Sequence, residues 1–352
     1  MTNVSCRAVL REQTRFWSRG FGFIICATMM IGFAIAIASG GAAAQTIIAK
    51  ISVPYGGDLT VDPVLNHIYL GNGNPAAQPV IVIDGYTFTT TQPGPVGQTI
   101  GVNRVNNNYW APGVYSGAIP VYDGNSNALI TTESTGFCPQ HAEYDIRYNR
   151  VWVGAQCGSG NDPVFAFNAT TYAPEAGPVG TGGVLGGTVI NSATGILYVS
   201  SNGIKRVDPV TFAVTATSLP NTVQVADPVR NLLYGFYASG GNNFLYIASG
   251  GSRTKSETIQ HTITLPFAPA AMGVNTALAH IYLANSSTQS IDVRNSISGA
   301  DITSFSLGVL SVGGITVDSI RGRVYVNVNT MSGSSVYVIE DLSPAIKVSD
   351  GY

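Results

Sequence analysis

The chain has 352 residues, of which 45% are hydrophobic and only 10% charged, with 41 glycines and a formal net charge of −2. Nothing in that balance suggests a groove that tracks nucleic-acid phosphates, whose affinity comes mostly from clustered Lys and Arg, so nucleic acid is not an expected partner. Low charge with abundant Gly, Ser, Thr and Asn suits a turn-rich all-β protein rather than a helical one.

Residues 1–44 stand apart from the rest. Arg7, Arg11, Arg15 and Arg19 form a positive leader, Phe21 to Ala38 is an uncharged apolar run, and GAAAQ (Gly41 to Gln45) offers small residues for cleavage after Ala44. This predicts a bacterial export signal, with the body periplasmic or secreted. The run also reaches the ~18 residues at which a membrane span becomes possible. The alternative is therefore a membrane-anchored chain facing out of the cytoplasm, and a membrane is a partner only if the signal stays uncleaved. Removing the leader takes away four arginines and Glu12 and leaves 13 basic against 18 acidic side chains.

The body, 45–352, opens with TIIAKISVP (Thr46 to Pro54), which reads as an outer strand lying before any complete repeat. Then comes VDPVLNHIYLGN (Val61 to Asn72), in which Asp62 precedes Tyr69 by seven positions. The same spacing returns at Asn103/Trp110, Asp145/Trp152, Asn191/Tyr198, Asp227/Tyr234, Asn275/Tyr282 and Asp318/Tyr325, with successive aromatics 41, 42, 46, 36, 48 and 43 residues apart. A period of about 40 to 45 residues is that of a four-stranded propeller blade.

Each unit reads as strand, turn, aromatic strand, third strand and fourth strand. The Asp or Asn ends the first strand and caps the turn. Four positions later stands Asn66, Asn107, Asn149 or Asn231, or else Gly195 or Gly322, residue types that accept positive φ. Ala279 breaks this rule, which predicts a differently built turn in that copy. Third strands such as PVIVIDG (Pro79 to Gly85) and SVYVIED (Ser335 to Asp341) end in another turn signal. The prediction is a single domain, an all-β seven-bladed propeller of four-stranded blades, its ring closed by the N-terminal strand joining the last blade.

Tyr69-Leu70-Gly71-Asn72, Tyr282-Leu283-Ala284-Asn285 and VIVID (Val80 to Asp84) carry a resemblance to the YVTN-type β-propeller repeat family that extends over the whole body. The resemblance implies the propeller fold. Related propellers include binding proteins, lactonases and lyases, so it selects no function.

The residues that could carry chemistry are few. DGNSN (Asp123 to Asn127) begins like a calcium loop but has Ala128 where the sharp-turn glycine belongs, so it reads as a hairpin turn. GTGGVLGG (Gly180 to Gly187) has neither the Lys-Ser/Thr nor the helix of a phosphate cradle. No GxSxG elbow, metal-ligand cluster or cofactor motif is present, and none of these groups is expected. Cys138 and Cys157 are the two cysteines of the body and are expected to form a disulfide in an exported chain.

Seven first strands converge on a central channel, and four places before each capping residue stand Asp58, Thr99, His141, Gly187, Val223, Ala271 and Gly314. Only Asp58 and His141 titrate. With Gln140 and Glu143 they make the candidate binding site at the channel mouth, although blades one and three are not neighbours and direct contact is not expected. His67 and His280 are expected to face solvent. The function this implies is a non-catalytic binding or scaffold propeller of the cell envelope, taking a protein, glycan or small molecule at one face. The alternative is a lactonase-like hydrolase or lyase acting on a small polar substrate in the funnel.

Overall fold

An acid or amide that ends one strand, a tight turn, and an aromatic that enters the next strand together specify a hairpin. The computed structural model contains this hairpin seven times. It describes residues 45–72, 79–92, 97–114, 116–136, 138–156, 160–308, 311–330 and 333–341; the expected signal and Cys157 lie outside them. Seven four-stranded antiparallel sheets form the blades. The first strands are Leu59–Asp62, Gly101–Asn103, Pro139–Asp145, Gly187–Asn191, Val225–Asp227, Met272–Asn275 and Ser311–Asp318. These lie side by side around the ring, the last beside the first.

Tyr69, Trp110, Trp152, Tyr198, Tyr234, Tyr282 and Tyr325 all sit on second strands and are all buried. Several reach into the next blade. Tyr69 packs on Tyr109 with ring centroids 4.6 Å apart, Trp110 on Phe167 at 5.7 Å and Trp152 on Phe212 at 5.9 Å. Aromatic burial between sheets is what holds neighbouring blades together, because a blade alone leaves both faces apolar.

The capping residues are buried and accept backbone N–H groups in the turns. Asp62 Oδ1 takes those of Val64 and Leu65 at 2.8 and 3.2 Å, and Asp318 Oδ1 those of Ile320 and Arg321 at 3.0 and 3.1 Å. Asp123 in DGNSN does the same for Asn125 and Ser126, which makes that segment a hairpin turn. Its Asn127 has φ 57°.

The expectation for Ala279 is corrected. Its φ is 56°, beside 54° at Asn66 and 62° at Gly322, so this copy builds the same turn as the others. The reason lies in the carbonyl. The Ala279 oxygen accepts the Ser296 N–H at 2.7 Å, as Asn66 accepts that of Gly85 and Gly322 that of Asp341, each also at 2.7 Å. Left-handed backbone aims this carbonyl at the end of the third strand, and tertiary pairing imposes it on an alanine.

The ring closes as expected. Gln45–Val53 pairs antiparallel with Gly333–Asp341 as the fourth strand of blade seven. Ile51 and Val53 are buried in one cluster with Leu59, Val336 and Val338.

The same junction corrects the placement of His280. It is buried, and its Nδ1 lies 3.0 Å from Asp341 Oδ1, while Asn275 Nδ2 donates to Oδ2 at 2.8 Å and Gln45 Nε2 to Oδ1 at 3.0 Å. One carboxylate thus gathers donors from blade six and from the closing strand.

Candidate functional site

Antiparallel order fixes two different faces. Turns between first and second strands, and between third and fourth strands, lie on one side, the turn face; the remaining loops lie on the other, the loop face. Asp58, Thr99 and His141 are on the loop-face end of the channel, at or just before the first strands of blades one, two and three.

The three side chains are in fact linked, through a residue of the intervening blade. Thr99 Oγ1 lies 2.6 Å from Asp58 Oδ2 and 3.2 Å from His141 Nδ1. Backbone register supports the link: Thr99 N–H donates to the Gln140 carbonyl at 3.0 Å and Ala142 N–H to the Thr99 carbonyl at 3.2 Å. Thr99 has one hydroxyl proton, and an ionised carboxylate can only accept, so that proton goes to Asp58. The Thr99 oxygen then accepts from Nδ1–H of His141, which leaves Nε2 as the acceptor of a neutral ring. Burial pushes the His141 pKa down, against an upward pull from Asp58.

Glu143 lies on the same strand face as His141, two residues on, and shares with Asp58, Thr99 and His141 a cavity of about 390 Å3. Burial, and then the charge of Asp58, push its carboxyl up to about 8, while Arg104 pulls it down. The remaining blades line this cavity with small residues, Gly187, Ala271 and Gly314 among them, together with Val223, Gln224, Met272 and Thr316. Polar groups from three blades therefore face open space. Thr99 and Glu143 also line a 560 Å3 cavity toward the turn face, which includes Arg104, Ile146 and Val229.

Gln140 does not join this group. The strand bulges between Pro139 and His141, and the Gln140 amide donates to the Gln156 carbonyl at 3.2 Å. The Gln156 N–H donates to the Cys138 carbonyl at 2.9 Å. GTGGVLGG joins blade three to blade four, and no helix starts there. Among the described residues no three His, Cys, Asp or Glu side chains are grouped to hold a metal.

Two features escaped the sequence reading. Arg147 Nη1 donates to the Ala193 carbonyl at 2.9 Å, Arg230 to that of Thr276 at 2.6 Å and Arg321 to that of Pro63 at 2.7 Å, each from one blade to the next. In blade five a loop is strapped to blade four, where buried Glu257 Oε1 accepts from the Tyr198 hydroxyl at 2.8 Å and from Arg206 at 3.0 Å. The only sequence signal for the first set was an arginine two or three places after a capping Asp; nothing local marked the second.

No family model matches this chain, and no curated protein matches it. Among solved structures, the crystal structure of the Myceliophteria thermophila Cps50 (Swd1) β-propeller domain is similar, with a TM-score of 0.63 over 84% of this chain and 99% of that one, at 9% sequence identity. At that identity the likeness concerns the fold alone.

Proposed function

We propose that this protein is an exported binding propeller of YVTN-type repeats, with a disulfide between Cys138 and Cys157. Its central funnel takes a small, neutral or cationic ligand rich in hydrogen-bond donors. The observation that carries this reading is the Asp58–Thr99–His141 chain, which presents carboxylate and imidazole acceptors beside an open cavity of about 390 Å3.

Donor counting favours binding over nucleophilic catalysis. A nucleophile needs its proton aimed at a base nitrogen. In this chain the Thr99 proton faces Asp58, and the imidazole donates instead of accepting. A hydrolase or lyase reading draws support from Glu143, whose raised carboxyl suits a general acid; it lacks a paired nucleophile.

A thermal-shift series of the purified protein against polyols, amino sugars and diamines tests the reading. A ligand at about 100 times its Kd should stabilise the fold by about 2.7 kcal/mol. Asp58→Ala and Thr99→Val should abolish that shift. Silence across the series, or a shift that survives both substitutions, refutes the funnel as the binding site.

A further inference from the structure

The turn face differs from the rest of the surface in the side chains it exposes. At the apices of the first-to-second-strand turns stand Val64, Val105, Ile146, Val229 and Ile320. The third-to-fourth-strand turns add Tyr86, Val210 and Ile297 farther out. All eight are between 47% and 76% exposed. Of the fourteen exposed large apolar side chains among the described residues, Val184 alone is on the loop face, and the other five are on outer strands.

These tips are exposed, so burial between blades does not account for them. Exposed apolar side chains gathered on one face mark a contact site. Most acids of the same face are engaged, exposed Asp301 with Arg294 at 2.7 Å. Asp62, Asp145, Asp227 and Asp318 are buried as turn caps, and Asp84, Asp123 and Asp208 use an oxygen in the same way in the outer turns. Arg104 and Arg147 are exposed among the valines and isoleucines. Arg230 and Arg321, in the equivalent turns of blades five and seven, are paired with Asp227 and Asp318 at 2.8 and 2.9 Å, which leaves Arg104 and Arg147 as the cations of these turns without an ion pair among the described residues.

The path of the chain indicates the occupant. Gln45 and Asp341 are paired at the turn-face edge of the closing strands, so the chain enters and leaves the ring on this face. The uncharged apolar run ends at Ala38, seven residues before Gln45, and seven residues reach at most about 25 Å. A run held in a bilayer would therefore tether the ring by its turn face. Aliphatic tips interleaved with arginines suit the boundary between acyl chains and anionic headgroups.

We infer that the turn face docks on an anionic lipid surface, with Val64, Val105, Val229 and Ile320 entering the interface and Arg104 and Arg147 meeting headgroup phosphates. The funnel mouth with Asp58 and His141 then opens away from the membrane. This inference stands apart from the ligand proposal, because no residue of the Asp58–Thr99–His141 chain is on the turn face.

The test uses the full chain in vesicles of phosphatidylcholine with phosphatidylglycerol, some carrying lipid brominated in its acyl chains. Val229→Trp and Ile320→Trp are each read against Val184→Trp on the loop face. The expected result is a loss of fluorescence to bromine at positions 229 and 320 but not at 184, reduced when Arg104 and Arg147 are both changed to Glu. Equal quenching at all three positions, or none at 229 and 320, overturns the inference. So does self-association in lipid-free buffer that the same two tryptophans abolish, which would make the face a contact between copies.

Discussion

Asp341→Asn tests how the ring is closed. The carboxylate is fully buried and accepts from three side chains: Gln45 at Oδ1, Asn275 at Oδ2, and His280, whose Nδ1 lies 3.0 and 3.1 Å from the two oxygens. An amide keeps one oxygen, so whichever way it turns it aims an NH2 group at a donor. Hydrogen bonds to a charged group contribute about 1.5–3 kcal/mol, and a stranded buried donor costs about 1–3 kcal/mol. The expected loss is about 2–4 kcal/mol, read as a lower denaturant midpoint at unchanged slope. Burial by itself would raise the Asp341 pKa, but the hydrogen bonds led by that from His280 hold it below the usual carboxylate range. A folded pKa below the unfolded one stabilises above the unfolded pKa, and this contribution is lost as pH falls through the folded value. The wild type should therefore converge on Asp341→Asn in acid. A variant within about 0.5 kcal/mol of wild type at pH 7, the scatter of ordinary surface changes, would refute the clasp.

Ala279→Gly should stabilise the protein by about 0.5–1 kcal/mol, since left-handed alanine costs about 1–2 kcal/mol and the extra freedom of glycine in the unfolded chain returns about 0.4–1 of it. A drop in melting temperature would show that the turn is not strained. Glu143→Gln should flatten the pH dependence of stability. The Glu143 carboxyl is raised to about 8 in the fold, so its contribution is full below the unfolded pKa of about 4.3 and is lost as pH rises through the folded value. Parallel stability curves for wild type and variant from pH 5 to pH 9 would refute this.

The propeller was legible because its rules are local and repeated. A capping Asp or Asn, an Asn or Gly at positive φ and an aromatic at a fixed distance recur often enough that one irregular copy does not hide the period. Ala279 shows the limit of residue-by-residue inference: alanine has no preference for a left-handed turn, yet the Ser296 N–H waiting across the blade requires one. His280 shows another. Its two neighbours in sequence mark it only as the start of a strand, and the carboxylate that buries it lies 61 residues away. For the channel, the sequence supplied Asp58 and His141 by register and Glu143 as a neighbour of His141, but treated blades one and three as separate. Thr99 was at the same register and joins them. Gln140 was adjacent in sequence to His141 and is placed elsewhere by a bulge that no local residue type announced.

The positions that vary between repeats are those on which the fold makes no packing demand. Four residues farther along, the capping Asp or Asn must be buried and must accept two amides, and seven beyond that an aromatic must fill the space between blades. At the channel end of the first strand the side chain meets neither requirement. Gly187, Val223, Ala271 and Gly314 can stand there as readily as Asp58, Thr99 and His141, since all seven line one solvent-facing space. Three consecutive blades carrying polar groups, followed by four with small or apolar ones, gives the channel a sidedness that sevenfold packing does not require. This asymmetry is what the proposed ligand would use, held against the one polar wall of the channel.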